Sequence, residues 1–239
     1  MTMLELRNLT VRYDKHLALD DVSLTLDKGE TVVILGANGA GKTSLLKAMA
    51  GVVRADAGSQ IVLDGAPITG LRADQVTNAG IALVPEGRGV VGLMTVEENL
   101  RLGANPKRAR AVEAERMELV FDIFPRLKER LGQYVRTMSG GEQQMVAVGR
   151  AMMSNPDYLL LDEPSLGLAP IIVTDMFKAL ARITQTGVGL LIVEQNVRVS
   201  LKHADRGFLL EAGRITGSGT SAELLDDDAV RHAFLGGNS

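Results

Sequence analysis

The stretch TVVILGANGAGKTSLLKAMAG, residues 31–51, decides the fold. It opens with a β-rich apolar run, which predicts a buried strand, and it closes with the apolar spacing of a helix. Between the two, GANGAGKT matches the pattern G-x-x-x-x-G-K-[ST], whose glycines let successive backbone N–H groups turn inward around a phosphate. The helix N-terminus adds partial positive charge at the same point. The sequence therefore predicts a phosphate-binding loop and, with it, a nucleotide site.

The residue types in this loop indicate a role for each position. Lys42 is expected to reach the β- and γ-phosphates of ATP, and the Thr43 hydroxyl is expected to hold Mg²⁺. The other loop residues predicted to bind the nucleotide are Gly36, Asn38, Gly39, Ala40, Gly41 and Ser44. A chance match to the pattern is the alternative, and the strand before the loop and the helix after it argue against that alternative.

A second acidic motif, YLLLDEP, covers residues 158–164 and reads as an apolar strand that ends in two acids. The end of a strand is where a parallel sheet presents groups to a ligand. Asp162 is placed to bind Mg²⁺, directly or through water, and Glu163 could polarise the attacking water as a general base. Acids that end a strand are often simple solvated caps, but the presence of the phosphate-binding loop favours the functional interpretation.

The rest of the chain indicates an α/β fold. Residues 3–35 alternate short β-type runs with turn signals, and residues 61–65 and 81–85 read as further strands. From about residue 95 to 153 the periodicity is helical throughout, and after Pro156 strands and helices alternate. This order predicts a largely parallel sheet covered by helices.

Composition excludes several classes of function. The chain has 239 residues and a formal charge of only -3, which argues against a dedicated nucleic-acid binder. We interpret KRAR, residues 107–110, and the EAER that soon follows as a solvated helix face with i,i+4 pairing, not a binding patch. The absence of cysteine excludes thiolate metal sites and thiol catalysis. No apolar stretch approaches the roughly 20 residues that cross a bilayer, and no signal pattern opens the chain, so we expect a cytoplasmic protein.

The stretch MSGGEQQMVAVGRAMM, residues 138–153, begins with the S-x-x-E pattern of a helix capping box. Ser139 would cap the helix near Glu142, and Gly140 and Gly141 would expose N–H groups at its start. The plain interpretation is a well-capped helix. The same helix start is also a second anion site, and one nucleotide does not easily reach two such sites in a compact fold. The second site therefore suggests a nucleotide that is held by another subunit.

With these three motifs in this order, the chain resembles the ATP-binding subunits of ABC transporters essentially end to end. GANGAGKT resembles the Walker A motif of that family, YLLLDE its Walker B motif and SGGEQ its signature motif. The resemblance implies one ABC domain over residues 1–239, with a P-loop NTPase (RecA-like) core over about residues 1–89 and 154–239. The core would include an N-terminal antiparallel β subdomain, and an α-helical subdomain with the signature motif would be inserted over about residues 90–153.

The resemblance also implies that two such subunits sandwich two ATP molecules. Ser139 and Gly141 of one subunit would then contact the γ-phosphate bound by the other, with Gly140 part of the same nucleotide-binding stretch. Tyr13 stands where the family stacks an aromatic ring on adenine, and a half-buried strand tyrosine is the alternative.

Three positions differ from most of the family: Glu86 stands for glutamine, Gln195 for histidine and Ala169 for aspartate. The combination of VPEGR, TVEENL, PSLGLAP and VEQN resembles the LivF-type subunits of branched-chain amino acid importers. Glutamine donates and accepts hydrogen bonds, whereas an ionised Glu86 only accepts, yet Glu86 can still face Mg²⁺ or a metal-bound water. Gln195 can donate to a γ-phosphate oxygen. Arg88 is hypothesised to pair with Glu86 when ATP is absent.

The predicted site can now be stated in full. The catalytic residues are Glu163, Lys42, Gln195 and Glu86, and the Mg²⁺ ligands are Thr43, Asp162 and Glu86. The leading interpretation is an ATPase on the inner face of the cell membrane that powers import through membrane permease subunits. It would pair with a second ABC ATP-binding subunit, identical or related, and would act indirectly with an extracytoplasmic substrate-binding protein.

Two alternatives stay open at this point. One is a nucleotide-sensing binding module with weak hydrolysis, because three positions differ from the common catalytic set; the presence of Glu163 favours the enzyme over this module. The other is the ATPase subunit of a urea or short-amide importer, because substrate choice would lie in the permease and the binding protein.

Overall fold

Two sheets with different strand patterns organise the chain. The structure is a computed structural model that describes residues 3–227 and 230. The smaller sheet has four antiparallel strands in the order β2-β1-β4-β5. Their bounds are β1 (Met3–Tyr13), β2 (His16–Asp27), β4 (Gln60–Leu63) and β5 (Ala66–Pro67). This sheet is the predicted N-terminal antiparallel element of the fold.

The larger sheet has six strands in the order β10-β9-β3-β8-β7-β6. All neighbours pair in parallel except β9 and β10, which form an antiparallel hairpin at one edge. The bounds are β3 (Thr31–Leu35), β6 (Ile81–Val84), β7 (Tyr158–Asp162), β8 (Gly189–Glu194), β9 (Arg206–Glu211) and β10 (Arg214–Thr220). The predicted α/β fold with a largely parallel sheet is therefore confirmed.

Helices join and cover the strands. Five of them, α3 to α7, follow one another between β6 and β7 with no strand element among them in this described stretch, as the helical periodicity predicted. The bounds are α1 (Lys42–Met49), α2 (Ala73–Ala79), α3 (Val96–Gly103), α4 (Lys107–Arg110), α5 (Glu113–Ile123), α6 (Pro125–Glu129), α7 (Gly140–Met152), α8 (Pro170–Gln185), α9 (Val197–Leu201) and α10 (Ser221–Asp226), with a 3₁₀ turn at Val135–Thr137.

The central parallel strands are buried on both faces, so alternate residues enter two different cores. On β3, Val33 and Leu35 join the core formed with the inserted helices and α8. Val32 and Ile34 join the core that α1 and the small sheet cover. Strands β7 and β8 divide their side chains in the same way. This double burial fixes the strand ends, where the polar residues of the candidate site begin.

The predicted i,i+4 pairing of KRAR with the acids after it is wrong. Residues 107–110 form the separate short helix α4, because the chain leaves the helix before α5 begins. The Arg108 guanidinium reaches Asp157 at the start of β7, with Nη2 at 2.5 Å from Oδ2. The Lys28 ammonium donates to the other oxygen of Asp157 at 2.7 Å. The half-buried carboxylate of Asp157, which Lys28 also contacts, is a better partner for Arg108 than a solvated acid on the same helix would be.

No helix within the described residues is both long enough and apolar enough to cross a membrane.

Candidate functional site

The candidate site lies at the carboxyl ends of the parallel strands, beginning with the loop from β3 to α1. Gly41 has φ +108 and lies so close to the small sheet that a Cβ would come 2.6 Å from the Ala18 carbonyl oxygen. At Gly36 a Cβ would overlap the carbonyl oxygen of Leu210. Only glycine fits these two positions, because one needs a left-handed backbone and both need close approach. The glycine pattern that predicted this loop is thus explained by its packing.

The inner side of the loop presents backbone donors without acceptors. In the described part of the chain, the N–H groups at the start of α1 donate no hydrogen bond to the protein, and no side chain caps this helix. The groups concerned are those of Gly39, Gly41, Lys42, Thr43 and Ser44. A Cβ added at Gly39 would meet nothing within 4 Å, so this side of the loop is open. Convergent free N–H groups at a helix N-terminus fit an anionic phosphate.

Lys42 is held over this loop and is almost completely buried, at 5% exposure. Its ammonium donates to the carbonyl oxygen of Gly36 at 2.7 Å and lies 3.4 Å from Oε1 of Glu163. The side chain is therefore extended across the mouth of the loop, and it joins the loop to the acid at the end of β7.

Asp162 is the last residue of β7 and lies directly below the loop. The Thr43 hydroxyl donates to its Oδ1 at 3.2 Å, and the carboxylate is buried at 4% exposure. Burial raises the pKa of Asp162, the Thr43 hydrogen bond opposes the rise, and the charges of Glu86 and Glu163 add to it. A hydroxyl and carboxylates crowded in this way are hard oxygen donors, the set that Mg²⁺ prefers. The donor chemistry thus fits the predicted metal.

Glu163 and Gln195 form a pair that the sequence did not predict. The Gln195 side-chain amide nitrogen lies 2.8 and 2.9 Å from the two carboxylate oxygens of Glu163. The partner predicted for this amide was a γ-phosphate oxygen. Glu163 itself has φ +47, and its N–H donates to the carbonyl oxygen of Val193 at 2.9 Å. The backbone at the end of β7 is thus turned so that the carboxylate faces Lys42 and Gln195.

Sequence reasoning missed Glu194, the last residue of β8. It is 3% exposed, and its carboxylate accepts from the N–H groups of Ser165 and Gln195. Burial raises the pKa of Glu194, and hydrogen bonds from the Ser165 side chain and from the backbone of Ser165, Asn196 and Gln195 oppose the rise. The signal was present in the sequence, because an acid directly continues the apolar run GLLIV at residues 189–193.

Lys42, Thr43, Glu163 and Gln195 line one cleft of about 580 Å³, whereas Asp162 and Glu194 lie behind its lining. His16, also missed in the sequence, lies across from the loop near Tyr13, which is 41% exposed at the end of β1. Glu86 follows β6 and lines the same cleft. The predicted residues that the structure brings together here are Tyr13, Asn38, Gly39, Gly41, Lys42, Thr43, Ser44, Glu86, Glu163 and Gln195. Gly36 and Ala40 lie in the same loop but not on the lining of the cleft.

The residues Ser139, Gly140 and Gly141 lie elsewhere, at the start of α7. Ser139 and Glu142 form the predicted capping box, with the Ser139 hydroxyl accepting from the Glu142 N–H at 3.3 Å. None of the three lines the cleft described above. The two helix starts predicted to bind phosphate, those of α1 and α7, therefore do not share one cleft in the described chain.

The hypothesised ion pair between Arg88 and Glu86 does not form in the described structure. Arg88 donates instead to the side-chain oxygen of Gln143 on α7, at 3.0 Å. The neighbouring Gly89 carbonyl accepts from Arg150, also on α7, at 2.8 Å. Residues 87–89 all have positive φ, which turns the Arg88 side chain away from Glu86 and towards the helix. The segment after Glu86 is thus attached to α7.

Comparison with known proteins identifies the family of the chain. Residues 19–166 match the family model described as ABC transporter. The chain is 48% identical over 235 residues to the high-affinity branched-chain amino acid transport ATP-binding protein BraG of Pseudomonas aeruginosa, which covers 98% of this chain and 100% of BraG. It is 36% identical to the lipopolysaccharide export system ATP-binding protein LptB of Haemophilus influenzae, over 99% of this chain and 98% of LptB.

Comparison with solved structures agrees with these sequence matches. A crystal structure of a nucleotide-free ATP-binding cassette from an ABC transporter matches with a TM-score of 0.85 and 26% identity, over 99% of this chain and 100% of that one. The match to the family model and the full-length identity to its members show that the chain belongs to the ABC transporter family and is an ABC-type ATPase.

Proposed function

We propose that the chain is the ATP-hydrolysing subunit of an importer for branched-chain amino acids. One observation carries this proposal: the chain is 48% identical to BraG along its full length. Its identity to LptB, which is named for lipopolysaccharide export, is lower at 36% over a similar span. Of these two proteins, the chain is thus more similar to the one named for branched-chain amino acid transport.

The phosphates of ATP would be held by the free N–H groups of residues 39 and 41–44 and by the Lys42 side chain. The Lys42 ammonium is already held within the loop by the carbonyl oxygen of Gly36, close to these N–H groups. Tyr13 would stack on the adenine, since it lines the same cleft and its side chain is exposed. Mg²⁺, when bound, would neutralise charge on the phosphates, and Thr43, Asp162 and Glu86 would supply its oxygen ligands.

Glu163 would act as the general base. Its carboxylate lies at the edge of the cleft within 3.4 Å of the Lys42 ammonium, and the Gln195 amide fixes both of its oxygens. A fixed, ionised carboxylate can accept a proton from a water molecule, and a positioned base of this kind contributes about 10²–10⁴-fold in rate. Gln195 would thus act on hydrolysis by orienting Glu163, in addition to any contact with a phosphate.

A second ABC ATP-binding subunit would complete the site. Ser139, Gly140 and Gly141 lie at the start of a 13-residue helix outside the cleft, where they would reach the nucleotide of the other subunit. ATP binding would then close the dimer. The segment 87–89 would carry this motion between Glu86 and α7, because both Arg88 and Gly89 are attached to that helix. Membrane permease subunits would receive the motion on the inner face of the membrane.

The substrate is tested by assembling the chain with the permease and binding protein encoded by neighbouring genes in lipid nanodiscs. We expect binding protein loaded with leucine, isoleucine or valine to stimulate ATP hydrolysis severalfold over unloaded binding protein. The Glu163→Gln variant in the same nanodiscs is the control for hydrolysis by this chain. Stimulation by urea-loaded protein alone, or stimulation by none of these ligands, would contradict the proposed substrate.

A further inference from the structure

We propose that Glu194 is a positioning residue that fixes the loop after the general base against the loop that carries Gln195. The inference rests on the proposed role of Glu163 as the base, and it adds a residue that touches neither nucleotide nor metal. Glu194 ends β8, the strand that lies between β3 and β7 in the sheet. It therefore stands between the loop of Lys42 and the loop of Glu163.

The contacts of Glu194 divide between two loops. Its Oε1 accepts from the backbone N–H of Ser165 at 3.0 Å, two residues after Glu163. Its Oε2 accepts from the backbone N–H of Gln195 at 3.2 Å. Each oxygen thus holds one of the two segments that carry the Glu163–Gln195 pair.

Two further hydrogen bonds join the same segments. The Glu163 N–H donates to the carbonyl oxygen of Val193, and the Gln195 side chain donates to the Glu163 carboxylate. Glu194 and these hydrogen bonds connect the ends of β7 and β8. Among the residues that form these connections, Glu194 is the only buried one with a charge. Fixing both ends of the Glu163–Gln195 hydrogen bond keeps the carboxylate in one place.

The charge of Glu194 is not explained by pairing. None of the ion pairs in residues 3–227 includes it, although the residue is only 3% exposed. Burying an unpaired carboxylate is costly unless hydrogen-bond donors satisfy it. An uncharged apolar residue would continue the strand at lower cost. The carboxylate is therefore accounted for by the loops that it holds.

A glutamine cannot replace this carboxylate. Both Glu194 oxygens accept from an N–H group, and an amide has one acceptor oxygen and one NH₂ donor. In a Glu194→Gln variant the side-chain NH₂ group would point at the backbone N–H of one of the two loops. Two donors cannot form a hydrogen bond, so that loop would lose its bond. The volume of the side chain is unchanged, so the variant tests the hydrogen bonds and not the packing.

The first test is amide hydrogen exchange of the nucleotide-free full chain, resolved at Ser165 and Gln195. Loss of a hydrogen bond to a charged group is expected to speed exchange at one or both of these amides by about tenfold or more. The control is Glu30→Gln, because Glu30 is a half-buried carboxylate that also accepts from a backbone N–H, that of Asp27, but it lies at the opposite end of β3 and pairs with Arg206. The control should leave exchange at residues 165 and 195 unchanged.

The second test separates catalysis from nucleotide binding. A displacement of the base by about 1 Å costs on the order of 10²-fold in rate, so we expect Glu194→Gln to lower kcat by about 10- to 100-fold. The dissociation constant for a fluorescent ATP analogue should stay within twofold of wild type, since Lys42 and Thr43 are untouched. Glu30→Gln should change neither kcat nor this dissociation constant.

Unchanged exchange at both amides, or loosened loops with an unchanged kcat, would overturn the proposal. If Glu194→Gln fails to fold, wild type decides: exchange of the Ser165 and Gln195 amides at the rate of free loop amides would equally overturn it. If wild type itself does not hydrolyse ATP, the proposed function fails while the exchange data still test whether Glu194 holds the two loops.

Discussion

Gln195 donates its amide to both carboxylate oxygens of Glu163, at 2.8 and 2.9 Å, in a position where most relatives of this fold are expected to carry histidine. An amide does not titrate in the physiological range, whereas an imidazole changes charge near pH ~6.5. The orientation of the base by Gln195 is therefore independent of pH. At the residue scale, this is the difference with the clearest chemical consequence.

We predict that Gln195→Ala lowers kcat by about tenfold and leaves the shape of the pH–rate profile near ~6.5 unchanged, whereas Gln195→His adds a limb there. His16 lines the cleft as well, so His16→Gln is the control that identifies any limb belonging to that residue. A limb in wild type that disappeared in Gln195→Ala would contradict the prediction.

At the scale of elements, α3 and α7 pack so closely that one glycine decides their separation. Gly103 ends α3, and a Cβ there would overlap the carbonyl oxygen of Arg150 on α7. Arg150 also bonds Gly89 in the segment after Glu86. The contact between α3 and α7 thus sets the position of Arg150, whose side chain holds the segment after Glu86.

Gly103→Ala is expected to lower the free energy of unfolding by about 1–3 kcal/mol, because the added methyl must separate the helices. Gly132→Ala is the control, since a Cβ at that exposed position would meet nothing within 4 Å. Urea unfolding of both variants measures the difference. Equal stability of Gly103→Ala and Gly132→Ala would show that the helices adapt without loss.

Elements and loop chemistry could be predicted from the sequence because their signals are local. The phosphate loop, the acids after β7 and the capping box at Ser139 each lie within a few adjacent residues. The partner of Arg108 could not be predicted, because Asp157 lies 49 residues away and only the packing of α4 against the sheet brings them together. The same holds for Arg88 and Gln143, 55 residues apart.

At the scale of the whole molecule, two cores share one sheet. Asp157 joins three parts of the chain at the end of this sheet where β7 begins. Lys28 comes from the turn before β3, Arg108 from the inserted helices, and Asp157 from the start of β7. Burial would raise the pKa of Asp157, but the hydrogen bonds and charges of Lys28 and Arg108 outweigh it and lower this pKa below its ordinary value. The inserted helices are thereby attached to the core by charge.

Because the folded pKa is lowered, the stabilisation by Asp157 is present above the unfolded value of about 3.9 and is lost as pH falls through the folded value. Asp157→Asn should lower the free energy of unfolding by about 2 kcal/mol at pH 7, and the difference from wild type should shrink below pH ~4. Asp175→Asn, in an exposed pair at 3.8 Å, should change stability by less than about 0.5 kcal/mol. A pH-independent deficit of Asp157→Asn would contradict the electrostatic explanation.

The central claim is that Glu163 is the base of an ATPase that works as a dimer, and one measurement tests it most directly. Mg²⁺-ATP hydrolysis by wild type is compared with that of Glu163→Gln, with gel filtration of both in ATP. We predict a loss of about 10²–10⁴-fold in rate for the variant, together with its accumulation as an ATP-bound dimer. A Glu163→Gln variant that hydrolyses ATP as fast as wild type would contradict the claim.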